Sequence, residues 1–348
     1  MSRPPQISVA ICTYNRADYL LPALDSLAEQ DLPPEAFEVL IIDNCSTDNT
    51  RELVEEARQQ WGRRLRYVHE PRQGLSWARN RAISEARADL LVFLDDDAKA
   101  CPGWLSAMMQ PFREVTPRPV IVGGPVRADW EAPRPAWVEE WDKDTKIRLL
   151  LFSVKDESCF GTEGRWFEPT EGSLGGNTCY DRTVLLRERL SFDVQLGRGG
   201  SGLMGGEEGE LLRQLRDLGY RDYYQPEAAI WHAVSTQRMT RKYARSRFYW
   251  VGRSHAVRWQ VAEQAGVRET FKECATCARQ WLRIASRSVR RRGGEIQALW
   301  RSYWVGRLVG AMKSALGPRV AAESKPDKTS SVPPPKYRSE TRRAADVQ

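Results

Sequence analysis

The sequence predicts an α/β protein: a mixed, mostly parallel sheet flanked by helices, followed by a helical, basic C-terminal extension. Three observations predict it. Short apolar runs alternate with amphipathic helical patterns over the first hundred residues, three of those runs close on polar clusters, and basic charge gathers in the last third of the 348 residues. Alternation of this kind favours right-handed parallel crossovers, and ligands of such sheets bind beyond the carboxyl ends of the strands.

The elements follow in order. Ile7–Cys12 is a short apolar run ending at the polar turn Thr13–Arg16, as a buried strand would. Residues 17–29 place Leu20, Leu21, Leu24 and Leu27 at helical spacing. Val39–Ile42 is a second buried strand closing on Asp43. Ser46-Thr47-Asp48 then offers N-cap chemistry for a helix to about Gln60. Leu65–Val68 reads as a strand, Leu75–Ala86 as a helix, and Leu90–Leu94 as a strand closing on Asp95. Val120–Val126 reads as one further strand, and residues 129–171 as a long irregular excursion carrying Trp130, Trp137, Trp141 and Trp166. Regular patterning returns at residues 173–180, in a helix from Glu207 to Leu218, and in short strands near Tyr223 and at residues 228–231. We therefore divide the chain into a body at 1–235, a basic amphipathic helical extension at 236–320, and a disordered Pro/Ser/Lys tail at 321–348.

Charge separates these parts. Residues 236–320 hold 19 Lys/Arg against 4 Asp/Glu, whereas residues 1–235 hold 28 against 38. An acidic body with a basic appendage argues against a nucleic-acid binder, whose basic face would lie at the pocket. Within the extension, Phe271, Cys274, Ala278, Trp281, Leu282, Ala285 and Val289 share one helical face. Ile296, Leu299, Trp300, Tyr303, Trp304, Leu308, Val309, Met312 and Leu316 share another. Such stripes suit an interfacial membrane helix or packing against the body. No stretch reaches the roughly 18 apolar residues of a membrane span. Seven scattered cysteines and no secretory pattern at the start read as free thiols in a reducing cytoplasm. Cys274 and Cys277 form an isolated CxxC, which fits helix packing better than zinc.

The chemistry-bearing residues lie at strand ends. Asp95-Asp96-Asp97 puts three carboxylates after a buried strand, an arrangement that is costly unless a cation neutralises it. Oxygen ligands at that spacing favour a hard divalent ion, Mg²⁺ or Mn²⁺, shared with phosphate oxygens. Of three histidines, His232 follows an apolar strand and precedes a polar loop, which suits a metal or phosphate role. His69 and His255 read as structural.

Over residues 6 to about 235 the sequence resembles the family-2 glycosyltransferases of the GT-A, Rossmann-like fold. SVAICTYNR (8–16) resembles the family's opening strand and nucleotide-contacting loop, bringing Thr13, Tyr14, Asn15 and Arg16 to the donor. LIIDNCSTDNT (40–50) is similar to the second strand, whose closing Asp43 would hydrogen-bond the base. GLSWARNRAI (74–83) is similar to the segment along the nucleotide. Within it, Arg79 and Asn80 are candidates for holding donor groups, and Arg79 reads equally as a helix-surface arginine. LDDDA (94–98) resembles the DXD element: Asp95 towards ribose and metal, Asp96 beside the donor, Asp97 as direct metal ligand. GGNTCYDR (175–182) resembles the strand lining donor and acceptor, and Ile230-Trp231-His232 the strand whose histidine approaches the metal or diphosphate. GGEEGELLRQLRDLGYR (205–221) resembles the helix start supplying the catalytic base.

One departure matters. The family usually has Glu-Asp after the two glycines; here Glu207-Glu208 stand there, so Glu208 replaces the aspartate and reaches one methylene further. Either Glu208 or Glu207 is the base, with Glu208 favoured, and Glu210 reads as a surface residue. The resemblance implies an inverting, metal-dependent transfer from a nucleotide-diphosphate sugar to a sugar or lipid-linked sugar hydroxyl. The charge distribution adds peripheral contact with an anionic membrane, at the inner face of a bacterial cell membrane, in surface polysaccharide or glycolipid synthesis. Two rivals are a non-catalytic membrane-binding protein on a degenerate transferase fold, and a sugar nucleotidyltransferase. The latter would want a glycine-rich loop after the first strand, where this chain has Thr13–Arg16 and no glycine before Gly62.

Overall fold

A computed structural model describes residues 4–199, 202–263, 267–290 and 294–316. Its first half alternates β1 (Ile7–Thr13), α1 (Ala17–Ala28), β2 (Phe37–Asp43), α2 (Thr50–Trp61), β3 (Leu65–His69), α3 (Leu75–Glu85) and β4 (Leu90–Leu94). Then follow β5 (Ala98–Ala100), α4 (Trp104–Glu114), β6 (Ile121–Gly123), β7 (Val126–Trp130), α5 (Ala136–Asp142), α6 (Thr145–Phe152), α7 (Glu157–Phe160) and β8 (Arg165–Trp166). The remainder is β9 (Asn177–Asp181), α8 (Arg182–Arg187), α9 (Glu207–Asp217), β10 (Asp222–Tyr224), β11 (Ile230–Val234), α10 (Arg241–Glu263), α11 (Val267–Arg290) and α12 (Gly294–Leu316).

Eight strands form one sheet in the order β3-β2-β1-β4-β9-β6-β10-β8. The run β3-β2-β1-β4 is parallel, and β9 enters antiparallel to both β4 and β6. Continuous apolar strands are explained by burial on both faces. Val9, Ile11, Val39, Ile41, Val92 and Leu94 point to one core, closed by α1, α2 and α4. The alternate residues Ala10, Leu40, Ile42, Leu91 and Phe93 point to the other, closed by α3, α8 and α9. A second sheet, β5-β11-β7, lies past the end of β4. Its antiparallel register pairs His232 with Ala98, so a histidine far along the chain arrives beside the carboxylate run.

Three expectations are corrected. Val120–Val126 is two strands in different sheets: Pro125 carries no N–H for a ladder, and Gly124 passes so close to Ala228 that a Cβ would lie 1.8 Å from its carbonyl oxygen. The helix expected from residues 46–48 begins at Thr50. Asp48 accepts from Thr50 N and from Ala17 N, tying two helix starts together. The 129–171 excursion contains α5, α6, α7 and β8, and its tryptophans pack. Trp137 meets Trp141, Trp130 meets Phe152 and Trp166 meets Tyr223 edge to face.

One core crosses residue 235. Trp141, Leu151 and Phe152 from the excursion pack with Phe248 of α10 and Leu299 and Tyr303 of α12. Helices α10 and α12 meet at glycines. A Cβ on Gly252 would lie 1.9 Å from Tyr303 O, and one on Gly306 1.8 Å from Tyr249 O. Much of the α12 stripe is therefore packing surface, whereas on α11 Phe271 is 72% and Leu282 61% exposed. Cys277 is buried, and all seven cysteines are free thiols. No helix is long and apolar enough to cross a membrane among the described residues. The disordered tail expected at 321–348 lies outside the described residues.

Candidate active site

A cavity of about 430 Å³ opens at the carboxyl ends of β1 and β4 and is walled by residues 173–176 ahead of β9, by Arg198, by residues 202–206 and by the start of α9. At one end Asp95, Asp97 and His232 bring ligand atoms within 4.8 Å of one another. Two carboxylates and an imidazole, with the buried His232 Nδ1 lacking a hydrogen-bond partner among the described residues, form a donor set that fits a divalent cation. Thr13 Oγ1 donates to Asp96 at 2.8 Å, and Arg16 bridges Asp96 and Asp97 at 3.1 and 2.8 Å. Arg238 donates to Asp97 at 3.0 Å and to His232 Nε2 at 3.1 Å.

Charge state follows from burial and neighbours. Burial raises Asp96 to about 7 and lowers His232 to about 4, so the imidazole is neutral at pH 7. Burial also works against ionised Asp97, but His232, Arg238 and Arg16 more than offset it and hold the carboxyl below its usual range.

The other end is built by α9. Gly206 adopts φ 101°, a left-handed conformation that glycine takes freely, and turns the chain so that Glu207 and Glu208 fall in the first helical turn. Arg79, buried on α3, donates to Glu207 at 2.8 Å and to Glu208 at 2.7 Å. Glu207 is almost fully buried, and burial with the Glu208 charge raises it to about 7. Burial acts on Glu208 too, but Arg79 outweighs it and keeps that carboxyl below its ordinary value. Glu208 keeps 29% side-chain exposure into the cavity, so it is the ionised, accessible member of the pair. Gly175 and Gly176 lie between the two ends. A Cβ at 175 would meet Glu208 Oε1 at 2.1 Å and one at 176 would meet Asp95 Oδ2 at 2.1 Å. The paired glycines let both carboxylates close on the same turn, just ahead of β9.

The structure brings together Thr13, Tyr14, Arg16, Arg79, Asp95, Asp96, Asp97, Glu207, Glu208 and His232 around this cavity. It places three candidates differently. Asn15 turns away at φ 51° and accepts from Thr47 N, so it fastens two loops together. The Asn80 amide is taken up by the backbone of Phe192 in both directions and does not line the cavity. Asp43 accepts from Ser46 N and from Tyr67 OH at 2.6 Å, and the neighbouring Asn44 lines the cavity in its place. Arg79 is a buried ion-pair centre, not a surface arginine. Glu210, expected on the surface, is buried and accepts from Arg213 and Gln214. His255 bonds Tyr303 OH where α10 meets α12. Sequence reading missed Arg198, Arg238 and Arg247, because no spacing separates them from the many other arginines nearby.

Known proteins resemble this chain in sequence and in fold. Residues 8–167 match the profile described as Glycosyl transferase family 2. The succinoglycan biosynthesis protein ExoM of Rhizobium meliloti (strain 1021) is 27% identical over 290 residues, covering 78% of this chain and 84% of that protein. The glucosyl-dolichyl phosphate glucuronosyltransferase of Haloferax volcanii is 25% identical over 258 residues, covering 72% and 77%. The mannosyltransferase PcManGT of Pyrobaculum calidifontis, solved with GDP-Man and Mn²⁺, shares the fold with a TM-score of 0.56 at 18% identity over 90% of this chain and 87% of that one. Residues 8–167 are a glycosyl transferase family 2 segment, and the chain is a glycosyltransferase of the GT-A fold.

Proposed function

We propose that the chain moves a sugar, with inversion, from a nucleotide-diphosphate donor to a hydroxyl of a sugar or lipid-linked sugar acceptor. The observation that carries this reading is the placement of the Asp95–Asp97–His232 cluster and of Glu208 against one pair of glycines in one cavity. A divalent cation, Mg²⁺ or Mn²⁺, held by Asp95, Asp97 and His232 would draw negative charge off the leaving diphosphate. Thr13, Tyr14, Arg16 and Asn44 line the donor side, while Asp96 is fixed by Thr13 and Arg16. Glu208, ionised and facing the cavity, takes the proton of the attacking hydroxyl. Arg79 aims Glu208 and keeps it ionised, and the buried Glu207 completes the support. Attack from the face opposite the leaving group inverts the anomeric configuration. A donor panel with NMR readout of product anomers tests it; retention of configuration, or unchanged turnover in Glu208→Gln, would overturn it.

We also infer peripheral contact with an anionic membrane, through α11. Phe271, Ala278 and Leu282 recur at helical spacing and are exposed. Arg268, Lys272 and Arg279 are exposed beside them. An apolar band edged by cations suits a helix lying at a headgroup surface.

A further inference from the structure

Among the described residues, five carboxylates and five guanidiniums line the cavity, and they do not pair evenly. Arg16 and Arg238 are spent on Asp96 and Asp97, and Arg79 on Glu207 and Glu208. Two arginines remain. Arg198 has no hydrogen-bond or ion-pair partner for its guanidinium among the described residues. Arg247 donates Nε to Leu150 O and Nη1 to Leu203 O, both at 3.0 Å, and bonds no carboxylate among the described residues.

Their positions are fixed by the chain around them. Leu75 N donates to Arg198 O at 2.7 Å, and Ser76 Oγ to Leu196 O at 2.8 Å, so the first turn of α3 pins the loop. Gly197, at φ 89°, passes over the base-bearing turn: a Cβ there would lie 3.5 Å from Glu207 Cδ. Arg198 thus stands where its charge bears on Asp95, Glu207, Glu208 and His232 at once. Arg247 arrives from α10, whose Ser254 accepts from Gly205 N and whose Trp250 backs Gly202. The extension therefore reaches into the cavity. Burial and repulsion from Arg198 push the Arg247 guanidinium down to about 10, so the two cations are uncomfortable together until an anion lies between them.

We infer that Arg198 and Arg247 form an anion subsite for a phosphoryl group of the substrate, set between the carboxylate–imidazole cluster and the base. The inference rests on the donor-site reading above. Carboxylates and guanidiniums are equal in number, so a divalent cation leaves the cavity positive, and a phosphoryl ligand neutralises it. That chemistry has two sources, the diphosphate of the donor and the phosphate of a lipid-linked acceptor.

The test titrates the full chain, in the presence of Mn²⁺, with UDP, GDP, uridine, guanosine and a short-chain polyprenyl phosphate in micelles. Arg198→Gln is the main variant, because the guanidinium makes no hydrogen bond or ion pair among the described residues. Arg198→Lys asks for partial rescue, and thermal melting checks the fold. Nucleoside diphosphate binding weakened at least about tenfold, with nucleoside binding unchanged, assigns the subsite to the donor. The same loss confined to polyprenyl phosphate assigns it to the acceptor. Equal binding of both phosphates by the wild type and Arg198→Gln overturns the subsite alone. A wild type that binds no nucleotide overturns the donor-site reading, and the subsite with it.

Discussion

At the scale of single residues, two adjacent glutamates receive opposite treatment from one arginine. Glu208 is held ionised and Glu207 is pushed to about 7, although both accept from Arg79. Glu208→Gln should lower kcat by about 10²–10⁴-fold with donor binding intact, while Glu207→Gln stays within about tenfold. Steady-state kinetics beside donor titration separates these, and equal losses in both variants would contradict the assignment. Glu207 also predicts a pH dependence of stability. Its folded value lies above the ordinary 4.5, so between 4.5 and 7 the folded chain keeps a proton that the unfolded chain has released. That contribution is complete below 4.5 and lost as pH rises through 7. Asp96, also raised to about 7, adds to this loss and His232, lowered to about 4, opposes it, so the Glu207 share is read by difference. Between pH 5 and pH 8 the wild type should lose on the order of 2 kcal/mol more than Glu207→Gln in urea melts. The carboxylates of this site were legible because they are contiguous and end buried strands. Asn15 and Asn80 misled because a polar residue in a motif can serve the backbone as well as the ligand, as their bonds to Thr47 and Phe192 show.

At the scale of elements, patterning located β1, β2 and β4 to within a residue or two, since strands buried on both faces leave unbroken apolar runs. It failed at β6 and β7, where a Gly-Pro pair divides one apolar run between two sheets. The C-terminal helices were legible as helices but not as partners: α11 and α12 both show apolar stripes, and only the glycines reveal which one is packed. Gly306→Ala would drive its Cβ into the Tyr249 carbonyl, forcing α10 and α12 apart. A cost of about 1–3 kcal/mol is expected, read as a lower urea midpoint. Because α10 backs the 202–206 loop, turnover should fall as well. Full activity at an unchanged midpoint would show that this crossing carries no weight.

At the scale of the whole molecule, a core shared across residue 235 makes the basic helices a wall of the catalytic body, while α11 leaves its apolar band uncovered. Phe271→Ser with Leu282→Ser should abolish co-sedimentation with anionic vesicles, leave melting temperature nearly unchanged, and spare turnover of a water-soluble acceptor. Undiminished sedimentation would remove α11 as the contact. The division of charge was legible in composition alone; the reach of Arg247 from the extension into the cavity was not, because it depends on which face α10 turns inward. The central claim is a metal-dependent nucleotide site built on Asp97. Calorimetric titration of UDP, GDP and dTDP, with and without Mn²⁺, tests it most directly. The account predicts that one nucleotide binds only with the metal, and that Asp97→Ala abolishes this binding while the chain still melts cooperatively. Absence of nucleotide binding with or without metal would contradict it, leaving a membrane-binding protein on a transferase fold.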